Sequence, residues 1–131
     1  MEEPPASFGR VGRLTRNQHV LLRLGELIAY AESAAALARR AHAAANGTLP
    51  EKADKRFDAA ALATISRIFA REAAQKVALD GLRWVAGALP PGDPAVAGLA
   101  AAIGLDAVRA AQAGLIADMD HLADVLYARA S

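Results

Sequence analysis

Residues 15–47 read TRNQHVLLRLGELIAYAESAAALARRAHAAANG, and this stretch decides the fold class. Thr15 and Gln18 form a capping box at its start. At its end, Asn46-Gly47 is typical of a helix that terminates with a residue in the left-handed conformation. Between them, apolar side chains recur at the spacing of one helical face, namely Leu21, Leu24, Ile28, Ala31, Ala35 and Ala38. We therefore expect a first helix of about 30 residues with this stripe facing the core.

The following segment predicts a second helix of similar length. Thr48 and Glu51 make another capping box, and Pro50 is tolerated in a first helical turn. The apolar positions that follow again have helical spacing: Phe57, Leu62, Ile65, Phe69, Ala73 and Val77. The sequence Leu-Pro-Pro-Gly at residues 89–92 ends the helix. Because only Gly47 separates the two helices in this interpretation, we expect an antiparallel hairpin.

The last third of the chain predicts two more helices. Asp93-Pro94 is a cap followed by proline at the first helical position, and this short helix stops at Gly104. Asp106 opens a last long helix with inward side chains Val108, Leu115, Met119, Leu122, Val125 and Leu126. The sequence thus predicts an all-α antiparallel bundle of three long helices and one short helix. We expect residues 1–14 to form a flexible N-terminal arm and residues 15–131 to form one domain.

Composition excludes several classes of function. The formal charge of +1 argues against nucleic-acid binding as the main role. The absence of cysteine excludes disulfides and thiolate chemistry. The acidic N-terminus lacks a signal-peptide pattern, and no uncharged apolar run reaches the ~18–20 residues of a membrane span. We expect a cytoplasmic protein whose membrane association, although possible, has no support in the sequence.

Alanine supplies about half of the 54% apolar residues, so we expect a thin core between closely spaced helices. Gly25, Gly81 and Gly114 each interrupt a predicted helix, which indicates close helix crossings at those points. Trp84, the only tryptophan, is expected to close one end of the bundle rather than to anchor a partner.

No set of residues has the spacing of a metal site. The histidines His19, His42 and His121 complete no Glu-x-x-His pair of the kind found in di-iron bundles. The nearest approach to a ligand cluster is Asp118, Asp120, His121 and Asp124. Because Met119 and Leu122 mark the inward face there, we expect these acids to form a solvated stripe.

Nucleophilic and phosphate-binding patterns are equally lacking. The sequence has no Gly-x-Ser-x-Gly elbow, no Gly-x-Gly-x-x-Gly turn and no Walker loop. The basic side chains Arg10, Arg13, Arg16, Arg39 and Arg40 could hold an anion, but we expect them to be solvated or paired with Glu2, Glu3 and Glu32. We therefore expect no catalytic, cofactor-binding or metal-ligating residue in this chain.

Two segments resemble the extra C-terminal helical domain of the very-long-chain type of acyl-CoA dehydrogenase. The first reads NQHVLLRLGELIAYA at residues 17–31 and runs into LARRA at residues 37–41. The second reads ISRIFAREAA at residues 65–74, followed by Gly81-Leu82-Arg83. The resemblance covers roughly residues 16–88 and rests on packing motifs rather than catalytic ones.

The resemblance implies a piece of a flavoprotein that oxidises acyl-CoA in fatty-acid β-oxidation. The flavin-binding domain and catalytic glutamate of that family lie upstream, so FAD would belong to the parent enzyme and not to this chain. The implied role is structural, in docking on other domains of the parent dehydrogenase or in assembly. An alternative is a stand-alone interaction module that self-associates as a homodimer. A third hypothesis is an acyl chain or acyl-CoA carried between the helices.

Overall fold

The computed structural model describes residues 18–53 and 56–127. These ranges hold five helices and no strand: α1 Gln18–Ala45, α2 Ala59–Ala88, α3 Pro94–Ile103, α4 Leu105–Ala110 and α5 Leu115–Leu126. The predicted all-α fold is confirmed. The prediction of three long helices and one short helix is wrong, because only α1 and α2 are long. The predicted arm at residues 1–14 and the Thr15 cap lie outside the described residues.

Helix α2 is the centre of the packing, since α1, α3, α4 and α5 all pack on it. The first two helices run antiparallel, as predicted for a hairpin. His19 near the start of α1 contacts Trp84 near the end of α2, and Tyr30 stacks on Phe69 further along. The other three helices form a second layer on α2, with α5 packed most extensively.

The end of α1 follows the prediction, whereas the start of α2 does not. Helix α1 ends at Ala45, and Gly47 takes the left-handed conformation with φ of 67°. The predicted second capping box at Thr48 is wrong, because the Thr48 hydroxyl donates to the Ala43 carbonyl and helps close α1. Helix α2 begins at Ala59, where the Asp58 carboxylate accepts the Ala61 amide at 2.8 Å.

The predicted last helix is two helices in the structure. It breaks at residues 111–114, and Gly114 adopts φ of 84°, a conformation that favours glycine. The break is stabilised from α2, because Arg71 donates to the carbonyls of Ala111 and Ala113 at 2.8 and 2.9 Å. A cation from another helix thus satisfies carbonyl groups at a helix end. This contact joins residues about 40 positions apart, so local sequence does not reveal it.

The predicted core stripe of α1 is largely wrong. Leu21 and Ile28 are 50% and 63% exposed, whereas the buried side chains of α1 are Leu27 and Ala41. Apolar residues surround most of this helix, so their spacing alone does not say which face packs on α2. The same error affects α5, where Met119 is 47% exposed. In α2 the expectation holds better, since Leu62 and Ala73 are buried while Ile65, Phe69 and Val77 are half-buried.

One of the three glycine predictions is supported. A side chain at Gly81 would meet Leu27 of α1 at 3.8 Å, as expected for a close helix crossing. At Gly25 no atom of the described chain lies within 4 Å of the site of a β-carbon, so the crossing predicted there is wrong. Gly114 lies in a turn beside Arg71 rather than within a helix.

Among the described residues, no single helix has both the length and the apolar character that a bilayer crossing needs. Two consecutive segments, Pro94–Ala110 and Leu115–Leu126, reach that length and composition only together, with a bend of 57° between them.

Candidate docking groove and the clamp beside it

An open groove runs between α1, α2 and α3. One wall comes from α1, the floor from α2 and the second wall from α3, with a cavity of about 440 Å³ between them. Every lining residue is apolar or glycine, and the set comprises Leu24, Leu27, Ile28, Ala31, Val77, Gly81, Val85, Leu99 and Ile103. Such a groove has no polar group with which to orient a reacting substrate, so its chemistry suits the packing of another apolar surface. We call this surface the docking groove.

The docking groove continues along α2 towards α4. A second cavity of about 440 Å³ shares Ala31, Val77 and Ile103 with the first. Its other lining residues are small or β-branched: Ala34, Ala70, Ala73, Ala74, Ala78 and Val108. Alanine leaves room for the backbone of an approaching helix, since its side chain adds only one methyl group. The whole surface therefore has the small side chains and the apolar chemistry that suit packing against a helix or another extended apolar element.

Beside the groove, a charged clamp fixes α5 to α2. The Asp118 carboxylate of α5 accepts Arg71 at 2.6 Å and Arg67 at 3.0 Å. Arg71 and Asp118 are largely shielded, with side-chain exposures of 15% and 17%, whereas Arg67 is 52% exposed. Gln112, in the turn before α5, also contacts α2, since its side chain donates to the Arg71 carbonyl at 3.2 Å. This geometry fixes an orientation and leaves no free acid–base group.

The clamp changes the ionisation of its members. Hydrogen bonds from Arg67 and Arg71 hold the pKa of Asp118 well below its usual range. The hydrogen bond to Asp118 raises the pKa of Arg67. The prediction that Asp118 belongs to a solvated acidic stripe is therefore wrong, although Asp120 and Asp124 are exposed as expected. The sequence missed this pairing because both arginines lie more than 45 positions away.

Trp84 lies half-buried at the open end of the α1–α2 hairpin. The guanidinium groups of Arg23 and Arg83 lie 5.9 and 5.3 Å from its ring centre, and His19 meets it edge-on at 6.0 Å. The contacts from Arg23 and His19 of α1 to Trp84 of α2 join the two helix ends. The position agrees with the expectation that Trp84 closes the end of the hairpin. Arg23 also pairs with Glu26 at 3.2 Å, so the cluster does not present two free cations to an anion.

A second polar cluster joins the middle of α1 to α2. Lys76 pairs with Asp80 at 2.9 Å and with Glu26 at 3.6 Å, and it lies 5.6 Å from the Tyr30 ring centre. Its carboxylate partners raise the pKa of Lys76, which keeps it protonated at neutral pH. Through these contacts Lys76 joins α1 to α2.

The structure separates the three histidines. His19 contacts Trp84, His42 lies beside the Asn46 amide at 3.1 Å near the end of α1, and His121 is exposed on α5. Within residues 18–53 and 56–127, no three His, Cys, Asp or Glu side chains stand close enough to hold a metal ion. That no residue of the whole chain binds a metal or cofactor stays a prediction.

Of the two expectations for Arg39, a solvated side chain is what the structure shows, and pairing with Glu32 is not. Both side chains are exposed on the outer face of α1, two helical turns apart. Neither makes an ion pair or hydrogen bond within the described part of the chain. Arg10, Arg13 and Arg16, together with Glu2 and Glu3, lie outside the described residues.

No protein family, curated protein or solved structure matches this chain closely enough to show common ancestry.

Proposed function

We propose that this chain is a non-catalytic helical docking domain of an acyl-CoA dehydrogenase, and that its docking groove packs against the rest of that flavoprotein. Two observations support the proposal. The resemblance at residues 17–41 and 65–83 suggests the parent enzyme. The docking groove supplies an apolar surface that the described chain leaves uncovered.

The uncovered groove is the observation that carries the proposal. Leu24 is 38% exposed, and Val85, Leu99 and Ile103 are only half-buried, although they face one another across the groove. Covering apolar surface is worth about 25 cal/mol per Å², so such a groove gains stability when another surface fills it. In this proposal FAD and the catalytic groups belong to other domains of the parent enzyme. The protein would act in the cytoplasm, and the groove would contribute packing alone.

The proposal is tested by titrating the purified chain with the flavin-containing dehydrogenase from the reading frame that includes or adjoins it. We expect binding, and we expect Leu99→Asp to weaken it at least tenfold, because the new carboxylate must be buried in an apolar interface. The matched control is Leu22→Asp, which places the same charge at a 68% exposed site outside the groove. Circular dichroism verifies that both variants keep their helices.

Three outcomes would count against the proposal. The wild-type chain shows no binding to the dehydrogenase, Leu99→Asp binds as well as Leu22→Asp, or the chain alone purifies with flavin absorbance. The last outcome would show that a cofactor site lies in this chain after all.

A second candidate function is a stand-alone module that self-associates. The outer face of α1 favours it, because Leu21 is exposed there and Glu32 and Arg39 have no partner within the described residues.

A further inference from the structure

The outer face of α1 carries a regular stripe that turns away from α2. Its positions alternate in steps of four and three residues, which is the heptad spacing of a helix-pairing seam. The stripe consists of Leu21, Gly25, Ile28, Glu32, Ala35 and Arg39. All of these residues are exposed except Ala35, which is half-buried. We call this surface the outer stripe.

The outer stripe has room for close approach by another helix. Around Gly25, no atom of the described chain lies within 4 Å of the site that a β-carbon would occupy. Ala35 lies at the middle of the stripe and projects only a methyl group. Ile28 provides an apolar anchor, since it is 63% exposed. Small residues beside an exposed apolar one suit a helix–helix contact.

The charges on the outer stripe identify the occupant. Glu32 and Arg39 lie seven residues apart, so they stand about 10 Å apart along the helix axis and too far apart to pair with each other. No residue three or four positions from Glu32 or from Arg39 on α1 carries the opposite charge. These positions include Ile28, Ala35, Ala36 and Ala43. A second α1 that runs antiparallel places its Arg39 level with this Glu32 and its Glu32 level with this Arg39. One two-fold axis near Ala35 satisfies both pairs at once.

We propose that the outer stripe binds the first helix of a second copy of this chain, forming an antiparallel two-fold dimer in which residues 26–45 of the two helices overlap. A parallel arrangement is disfavoured because it sets Glu32 against Glu32 and Arg39 against Arg39. In the antiparallel dimer Ile28 packs near Ala43 of the other copy at each end of the contact. The inference deepens the second candidate function. Ile28 lies at the edge shared with the docking groove, whereas Glu32 and Arg39, which set the pairing, lie outside the groove lining.

The contact follows one helix over about 30 Å. A strip of this length should bury less surface area than the roughly 1,600 Å² of a standard stable interface. We therefore expect a weak dimer whose assembly depends on protein concentration between about 1 µM and 1 mM. Salt should weaken it, because the two charge pairs lie at a partly exposed interface.

Sedimentation equilibrium on the whole 131-residue chain tests the proposal through a charge swap. Glu32→Arg alone and Arg39→Glu alone each turn two attractions into two repulsions, so each should weaken the dimer about tenfold. The double variant restores both pairs with reversed sign and should return the dissociation constant to within about threefold of wild type. Ile28→Asp should abolish the dimer and, because Ile28 also lines the docking groove, should weaken docking as well. Leu22→Asp, at a similarly exposed site about 120° around the helix, should leave both unchanged.

Several results would overturn the proposal: a monomer at every concentration, single reversals that leave the dimer intact, or a double variant that stays as weak as the single ones. A dimer that Leu99→Asp disrupts but Glu32→Arg does not would place self-association in the docking groove instead. Loss of binding to the dehydrogenase in Leu99→Asp, with the dimer unchanged, would separate the two functions. Because Glu32 and Arg39 are exposed, the variants should fold, and circular dichroism checks this.

Discussion

Arg71 of α2 and Asp118 of α5 form an ion pair of 2.6 Å that is only about one-sixth exposed, and the same guanidinium holds two carbonyl groups of the turn before α5. A single side chain therefore fixes both the position and the starting point of α5. Arg67 adds a second bond to Asp118 from a more exposed position. This difference in exposure allows the two arginines to be compared directly.

Arg71→Ala should lower the free energy of unfolding by about 2–3 kcal/mol, because it removes charge-assisted hydrogen bonds in a shielded place and leaves Asp118 with one partner. Arg67→Ala should cost less than about 1 kcal/mol, as expected for an exposed ion pair. Urea unfolding followed by circular dichroism measures both values. Equal losses in the free energy of unfolding for the two variants would contradict the larger contribution assigned to Arg71.

The clamp should make stability depend on pH in the acid range. The pKa of Asp118 in the folded chain is lowered by its arginine partners, whereas an unfolded aspartate titrates near ~3.9. As pH falls, the Asp118 carboxylate takes up a proton in the unfolded state before it does so in the folded state. The stabilisation by the arginine–Asp118 contacts is therefore complete above about pH 5 and is lost as pH falls further. Wild type should exceed Asp118→Asn in unfolding midpoint at pH 7, and the difference should shrink below pH 4. A difference that is constant across this range would contradict the mechanism.

Gly114→Ala should destabilise the chain by about 1–2 kcal/mol. Its φ of 84° disfavours any side chain, and a β-carbon would stand 3.4 Å from the Arg71 guanidinium. Gly98→Ala is the matched control, since it lies inside α3 with open space around it. That control should instead stabilise by about 0.5–1 kcal/mol. Thermal unfolding of both variants tests the contrast, and stabilisation by Gly114→Ala would contradict the turn geometry.

Ala61→Leu should destabilise the chain by about 1–3 kcal/mol, because Ala61 is 2% exposed in the first turn of α2 and a larger side chain must displace its neighbours. Ala60→Leu, one residue earlier and exposed, should change stability by less than about 0.5 kcal/mol. Urea denaturation of the two variants gives the comparison. A harmless Ala61→Leu would show that the alanine-rich core is not closely packed.

The elements that sequence predicts well are those fixed by neighbouring residues. Asp93 caps α3 through the Ala95 amide at 2.9 Å, and Gly104 ends it in the left-handed conformation, both as expected. Such caps work within a few residues, so their chemistry is visible in the sequence. The end of α1 before Gly47 belongs to the same class.

The elements that sequence predicts poorly depend on distant partners. The side of α1 that packs on α2 was not recoverable, since Leu21 and Leu27 have the same chemistry but opposite exposure. The break before α5 depends on Arg71, far away in the chain. The docking groove also could not be predicted, because α3 contributes Leu99 and Ile103 to a wall that only the tertiary arrangement assembles.

The central position of α2 has a consequence for how the chain opens. The principal packing contacts of α1, α3, α4 and α5 are all with α2, so α1 can separate from one side while α5 stays attached to the other. In native-state hydrogen exchange, amides in the middle of α2 should then exchange last, at the rate of global unfolding. The amides of α1 and of α5 should exchange earlier, each through its own partial opening.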